Sequence, residues 1–309
     1  MSWRKITAKL REYPAVVGLV GVVVLFSLLS DRFFTLSNFV NVLRQVSMQA
    51  IIAFGMTVVI ISGGIDLSVG SVFALSAAIL ASTIAKGGSI LLGILAALLV
   101  GAGFGFFNGF VIAKGRLQPF IVTLATMAIA RSLTLAYMEG MPITGFPSSF
   151  RFIGAGDILG IPVPVIIMFS LLLLMFYLTR YTKFGLYAYS IGGNELASKL
   201  SGVKVDLYKI SFYILSGVLT AVSAVILTSR LNSAQPTFGV GYELDAIAAV
   251  VLGGASLSGG KGSVLGTFFG ALIMGILNNG MNILNVSPFY QDAVKGIVIL
   301  TAVLVEREG

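Results

Sequence analysis

Residues 16–29 read VVGLVGVVVLFSLL, a run that is apolar on every side and carries no charge. An amphipathic helix of a soluble domain would show a polar face at a 3.6-residue period, and a half-buried strand would alternate. A transmembrane barrel is built from alternating segments of about ten residues. The stretch has none of these periods and predicts a helix buried in lipid. Arg4, Lys5, Lys9 and Arg11 precede it, as they would in a secretory leader. The apolar run is long for a leader and no small-x-small cleavage site stands before Asp31, so it is read as an uncleaved first span.

The same texture fills the rest of the chain. Of 309 residues, 57% are hydrophobic and only 10% charged, with a mean hydropathy of +1.00; an average soluble domain is about 25% charged. A crossing needs about 20 apolar residues, so ten crossings would use about 200. Apolar segments recur at 40–62, 68–85, 90–112, 119–138, 162–179, 208–229, 244–257, 263–284 and 291–305. The fold class expected is therefore an all-α polytopic membrane protein of about ten transmembrane helices, a single domain over 1–309. Its net charge of +8 would suggest nucleic acid in a soluble protein. Here thirteen basic residues fall in the connections on the amino-terminal side and five on the other, which predicts both termini in the cytoplasm. Orientation accounts for the charge, and no nucleic-acid partner is expected.

The chain has no cysteine and no histidine, which excludes disulfides, thiolate metal sites, Ser-His nucleophiles and histidine relays. No metal site is expected. The run Ala255–Gly262, ASLSGGKG, misses the phosphate-loop pattern at its first glycine and at the Ser/Thr that would hold magnesium. An aspartyl enzyme would need a dyad from Asp66, Asp245 and Asp292, and their spacing does not demand a shared proton. The expectation is a transport protein and not an enzyme.

Polar residues at membrane depth are the candidates for its chemistry. Ser62-Gly63-Gly64 interrupts an apolar run and predicts a broken helix near Gly63–Gly70 whose freed backbone groups need partners. Asp66 within it either lines a pathway or, with Ser68, caps the next helix. Gln235, Tyr242, Glu243 and Asp245 cluster beside Pro236, and Asn278, Asn279 and Asn282 form a neutral polar stripe suited to a polyhydroxylated solute or to interhelical hydrogen bonds. Arg131 either faces the aqueous pathway or, the favoured reading, pairs with a carboxylate, and Asp292 is expected to pair with Lys295 three residues on. Gly101, Gly105 and Gly109, like Gly262, Gly266 and Gly270, recur every four residues as helix-packing faces do. A weak internal repeat relates GGIDLSVGSV at 63–72 to GGASLSGGKGSV at 253–264. The connection at 180–206 holds a short amphipathic stretch, 194–200, between Gly193 and Gly202, either a docking helix or a solvated loop.

Several stretches together carry a resemblance: AFGMTVVIISGGIDLSVGSVFAL at 53–75, KGRLQPFIVTLATM at 114–127, YSIGGNELASKLSGVKV at 189–205, RLNSAQPTFGVGYELDAIAAVVLGGASLSGGKGSVLGT at 230–267 and FFGALIMGILNNGMNIL at 268–284. Over residues 33–306 the chain resembles the ribose/monosaccharide membrane permeases of the ATP-binding-cassette importers. The resemblance implies a multi-pass permease of the bacterial inner membrane that moves a monosaccharide, with ribose favoured, by alternating access. It implies a second permease copy in a homodimer, a cytoplasmic ATPase that holds ATP and magnesium, and an extracytoplasmic sugar-binding protein. This chain itself would hold no cofactor. The family's ATPase-coupling segment maps onto Asn194, Glu195, Ala197 and Gly202, with Leu196 as a departure at one position of its Glu-Ala-Ala pattern. An ion-coupled secondary sugar transporter, with Asp66 at its centre, is the alternative.

Overall fold

The computed structural model describes residues 14–307; the basic cluster Arg4, Lys5, Lys9 and Arg11 lies outside them. The described chain is almost entirely helical: α1 (Pro14–Leu29), α2 (Leu36–Ile61), α3 (Val69–Ala85), α4 (Ile90–Gly115), α5 (Pro119–Met138), α6 (Ser148–Ala155), α7 (Val163–Tyr181), α8 (Lys183–Gly193), α9 (Glu195–Leu200), α10 (Val205–Leu231), α11 (Tyr242–Leu252), α12 (Val264–Ile283) and α13 (Pro288–Arg307). The strands are two-residue pieces. β1 (Ile143–Thr144) pairs antiparallel with β4 (Ser233–Ala234), and β2 (Asp157–Ile158) with β3 (Ile161–Pro162).

Six helices, α2, α4, α5, α7, α10 and α12, are long and apolar enough to cross a membrane. Two more apolar helices, Ala15–Leu29 and Val69–Ala85, are shorter. The expected ten spans are thus not all met by length and composition. The reason is local. The helix break postpones the start of α3 to Val69, and α11 has only 11 residues, about 16 Å at 1.5 Å per residue, roughly half of a 30 Å hydrocarbon layer.

Helix α2 is the centre of the bundle: 83% of its most apolar window is buried, against 22% for α4 on the periphery. Exposed Leu91, Leu99, Phe107, Leu133 and Leu173 clothe the outside, as lipid contact requires. Lipid offers no hydrophobic driving force for joining helices, so close packing and hydroxyl bonds must do it. The Ser223 hydroxyl of α10 donates to the Met48 carbonyl of α2 at 2.8 Å, and Thr57 of α2 meets Thr267 of α12 at 2.7 Å. On α4, Gly101, Gly105 and Gly109 lie against the α10 backbone at Gly217, Tyr213 and Ile210, so close that a Cβ at any of them would strike it. On α12, Gly266 and Gly270 lie likewise against Gly253 and Ala249. Gly262 differs from the expected packing face: it precedes α12, at φ +143 in the connector, where it meets Ala255 and Ile61.

The connections gather at two ends. One end carries residues 62–68, 116–118, 194–204 and 253–263. The other carries the turn at 86–89, the β1–β4 ribbon and α6, which is tied to the end of α10 where Gly154 N–H donates to the Ser229 hydroxyl at 2.7 Å.

Candidate functional site

The first end holds a short helix within the amphipathic stretch at 194–200. Asn194 caps α9, its side-chain oxygen accepting from the Ala197 amide at 2.9 Å. The chain leaves it through Gly202 at φ +84, a left-handed turn that suits glycine. The helix is fastened on its inner side: Lys209 of α10 donates to Glu195 at 2.5 Å, and the Ser198 hydroxyl meets that of Ser190 in α8 at 2.6 Å. Outward it exposes Ala197 together with Leu196 and Leu200, 68% and 81% exposed. Beside it opens a cavity of about 560 Å³ lined by Gly63, Lys114, Arg116, Glu195, Asp206 and Lys209 among others.

From Lys209 one face of α10 leads inward to the helix break. Tyr213 and Ser216 stand four and seven residues on, the spacing that keeps side chains on one face. The Tyr213 hydroxyl donates to the Ile65 carbonyl at 3.3 Å, and the Ser216 hydroxyl to Asp66 Oδ2 at 3.2 Å. Asp66 Oδ1 accepts from both the amide and the hydroxyl of Ser68, at 3.1 and 2.6 Å. Asn108 of α4 donates to the Ser68 hydroxyl at 2.9 Å. Asp66 and Ser68 are buried, 2% and 1% exposed. Asn108 lies seven residues before the end of α4, so the cluster is recessed about 10 Å from that end. The contacts of Asp66 are of the capping kind. Asn108, Tyr213 and Ser216 were not singled out from sequence; the available signal was the lone amide of Asn108 in an otherwise apolar span.

From the opposite end the 235–241 loop dips into the bundle. Its carbonyls turn inward, and Arg131 donates to those of Pro236 and Phe238 at 2.9 and 2.8 Å. The carboxylate partner expected for Arg131 is therefore replaced by two backbone oxygens. Phe73 of α3 packs edge-on against Phe238 and Tyr242, with ring centroids 6.3 and 5.2 Å away. Gly70, in the first turn of α3, lies against Gly239 and the Glu243 carboxylate. The amino-terminal turns of α3 and α11 thus meet, and Glu243, half-buried, stands between them. Gln235 is exposed on the loop.

The remaining candidates are engaged elsewhere. Asp245, 5% exposed, accepts from Gln49 at 3.0 Å and pairs with Lys295 at 3.1 Å. Lys295 lies 3.6 Å from Asp292, so the expected pair exists, though the shorter contact is to Asp245. Asn279 and Asn38 exchange two amide bonds of 2.9 and 3.0 Å across α12 and α2. The Asn278 side-chain oxygen is buried without a partner. Among the described residues no group of three or more His, Cys, Asp or Glu could hold a metal.

Residues 38–303 match the family described as branched-chain amino acid transport system / permease component. The ribose import permease of Bacillus subtilis (strain 168) is 52% identical over 294 residues, 94% of this chain and 91% of the relative. That of Escherichia coli (strain K12) is 48% identical over 305 residues, 97% and 95% of the two chains. The D-allose transport system permease of Escherichia coli (strain K12) is 37% identical over 298 residues, 96% and 91%. No solved structure matches. A bundle of apolar helices with buried polar breaks, matched from end to end by permeases of this kind, leaves one assignment: the chain belongs to the branched-chain amino acid transport system / permease component family.

Proposed function

We propose that this chain is the membrane-spanning subunit of an ATP-driven importer and that its cargo is ribose. The observation that carries the cargo is the ordering of the relatives. Ribose import permeases stand at 48–52% identity, whereas permeases named for D-allose and L-arabinose stand at 37% and 38% over the same length of chain. Hydrolysis belongs to a cytoplasmic ATPase that carries ATP and magnesium; this chain moves the sugar and is not an enzyme. Nothing favours the ion-coupled alternative.

The geometry supports a working arrangement. Asn194, Glu195, Ala197 and Gly202 build a short exposed helix for a groove in the ATPase. The excess of basic residues around it supports placing that end, and both termini, in the cytoplasm of a bacterial-type inner membrane. Helices α1, α3 and α13 add three crossings, and the half-length α11 with the dipped 235–241 loop in front of it makes the tenth of one permease domain. A second copy of the chain and a sugar-binding protein on the far side complete the machine. The sugar path runs where the first turns of α3 and α11 meet, past Ser68, Glu243 and Gln235, with the unpartnered Asn278 amide as a further polar element. Helix amino termini and neutral amides can hold hydroxyls without trapping them. Asp66, Asp245 and Asn279 support this path from behind. ATP binding shifts the equilibrium between outward and inward opening by binding one state more tightly.

The test is reconstitution of the chain in liposomes with and without its ATPase and binding protein, with labelled ribose uptake followed under ATP. Uptake is expected only with all parts, and Glu195→Arg is expected to abolish it while sugar capture by the binding protein persists. Uptake by this chain alone under an ion gradient, or normal uptake by Glu195→Arg, refutes the reading.

A further inference from the structure

Three glycine pairs, Gly63-Gly64, Gly192-Gly193 and Gly259-Gly260, come from separate parts of the chain: the helix break, the lead-in to α9, and the connector between α11 and α12. They converge on one point. The Gly260 amide donates to the Ile61 carbonyl, the last residue of α2, at 2.8 Å. Gly192 is pressed against both of those groups, and a Cβ there would fall onto the Ile61 oxygen and the Gly260 nitrogen. Gly259, at φ +86, stands against the Gly192 carbonyl and the Gly63 backbone. One side-chain bond spans the same seam, the Tyr189 hydroxyl of α8 donating to the Gly262 carbonyl at 2.8 Å.

We infer that this junction is the mechanical link that turns movement of the ATPase-docked helix into movement of both helix breaks, with Gly192 as its positioning residue. A contact between side chains can absorb a displacement by changing rotamer. A contact between backbones without Cβ atoms cannot, and protein interiors at crystal-like density pass such a displacement on. Gly192 is two residues from Asn194, the cap of α9, so motion of α9 reaches it directly. From there one contact leads to Ile61 and the Asp66 break in front of α3. The other leads to the connector that ends α11 and begins α12. The two copies of the internal repeat, at 63–72 and 253–264, are thereby moved by one element, and α3 and α11 carry that motion to the proposed sugar path. The route through Lys209, Tyr213 and Ser216 reaches only the first of them.

The inference rests on the reading of α9 as the ATPase-coupling element, and the test separates the two. In proteoliposomes holding the complete complex, ribose uptake and ATP hydrolysis are measured together for four variants. Gly192→Ala is expected to assemble and to hydrolyse ATP while uptake per ATP falls at least tenfold. Gly193→Ala is the matched control: a Cβ at Gly193 meets nothing within 4 Å, and its uptake per ATP should equal that of the unaltered chain. Tyr189→Phe removes the seam's hydrogen bond without adding an atom and is expected to lower uptake per ATP severalfold. Should Gly192→Ala fail to assemble, Tyr189→Phe decides. Unchanged uptake per ATP in Gly192→Ala, or in Tyr189→Phe where it decides, overturns the junction. Glu195→Arg identifies which reading failed: if it abolishes uptake while the junction variants do not, only the junction falls, and if it too is neutral the coupling assignment falls with it.

Discussion

Asp66 offers the sharpest separation between a side chain that shapes the permease and one that carries its cargo or an ion. Its carboxylate accepts three hydrogen bonds, from the Ser68 amide, the Ser68 hydroxyl and the Ser216 hydroxyl, at a site 2% exposed. Asp66→Ala deprives three buried donors of their acceptor, each worth about 1 kcal/mol, a loss of about 3 kcal/mol before any cavity term. At roughly 2 °C per kcal/mol for a chain of this size, the melting temperature in detergent falls by about 6 °C. Asp66→Asn keeps the Oδ1 acceptor for Ser68 and puts an amide where Oδ2 stood. The Ser216 hydroxyl then accepts instead of donating, which a hydroxyl can do. The cost is at most about 1 kcal/mol, or about 2 °C. In the complete complex Asp66→Asn therefore imports ribose at near-normal rate, whereas Asp66→Ala is both unstable and slow. Two measurements suffice, a melting curve and ATP-driven uptake. If Asp66→Asn leaves the melting temperature unchanged and yet abolishes uptake, the carboxylate serves transport directly and the capping account is wrong.

Three further perturbations test the packing and the polar clamps. Gly105→Val forces a side chain into the α10 backbone at Tyr213 and Ile214 and should cost about 3 kcal/mol through overpacking; Gly103→Val, which meets nothing within 4 Å, should leave the melting temperature within about 1 °C, and equal effects would refute the packed face. Asn279→Ala removes both bonds to Asn38, leaving the Asn38 side-chain oxygen without its donor while its amide keeps the Phe33 carbonyl at 2.8 Å, and should cost about 1–3 kcal/mol; the double change Asn38→Leu with Asn279→Leu should recover part of it, and additive losses in the double-mutant cycle would show that the pair is not coupled. Lys295→Met leaves buried Asp245 with Gln49 as its remaining partner and should cost about 3–5 kcal/mol; adding Asp245→Asn should restore more than half, and a Lys295→Met variant as stable as the unaltered chain would show that the ion pair does not hold α13 to α11.

The membrane character was legible because it depends on composition over twenty residues at a time. The run at 16–29 became α1, the break at Ser62-Gly63-Gly64 ended α2, and the stretch at 194–200 became a capped helix because Asn194 and Gly202 are local signals that act within a turn of themselves. What was not legible is depth. The 235–241 loop reads as an ordinary outer connection, since Gln235, Pro236 and two glycines are what such a loop contains. Only Arg131, more than a hundred residues earlier, reveals that its carbonyls face inward. Asn108 and Ser216 look like isolated polar residues in apolar spans until folding places both around Asp66 and Ser68. Gly262 fits the four-residue spacing of Gly266 and Gly270, yet it lies outside α12 because its φ of +143 belongs to the connector. Spacing shows which residues share a helix face and says nothing of whether the helix has begun.

The two ends of the bundle differ in the polar bonds that stand beside their close backbone contacts, and the difference fits an importer. At the α9 end the joints are backbone against backbone at Gly192, Gly259 and Gly260, with bonds that bring in Ile61 and Gly262. Separating such surfaces would break the Gly260–Ile61 and Tyr189–Gly262 hydrogen bonds, worth about 1 kcal/mol each. That end is built to move as a unit. At the other end the dipped loop is held, besides the Gly70–Gly239 backbone contact, by one guanidinium on two carbonyls, and α11 to α13 by an ion pair in which Lys295 already has a second carboxylate within reach. Groups of this kind can exchange protein partners for water or a sugar hydroxyl at small net cost, because hydrogen bonds lost on one side are regained on the other. In the proposed orientation, a rigid joint toward the ATPase and exchangeable bonds toward the binding protein place the yielding contacts where the sugar enters. Cargo can then take over bonds that the resting chain makes with itself, while the force that changes access arrives through a seam with nothing in it to give.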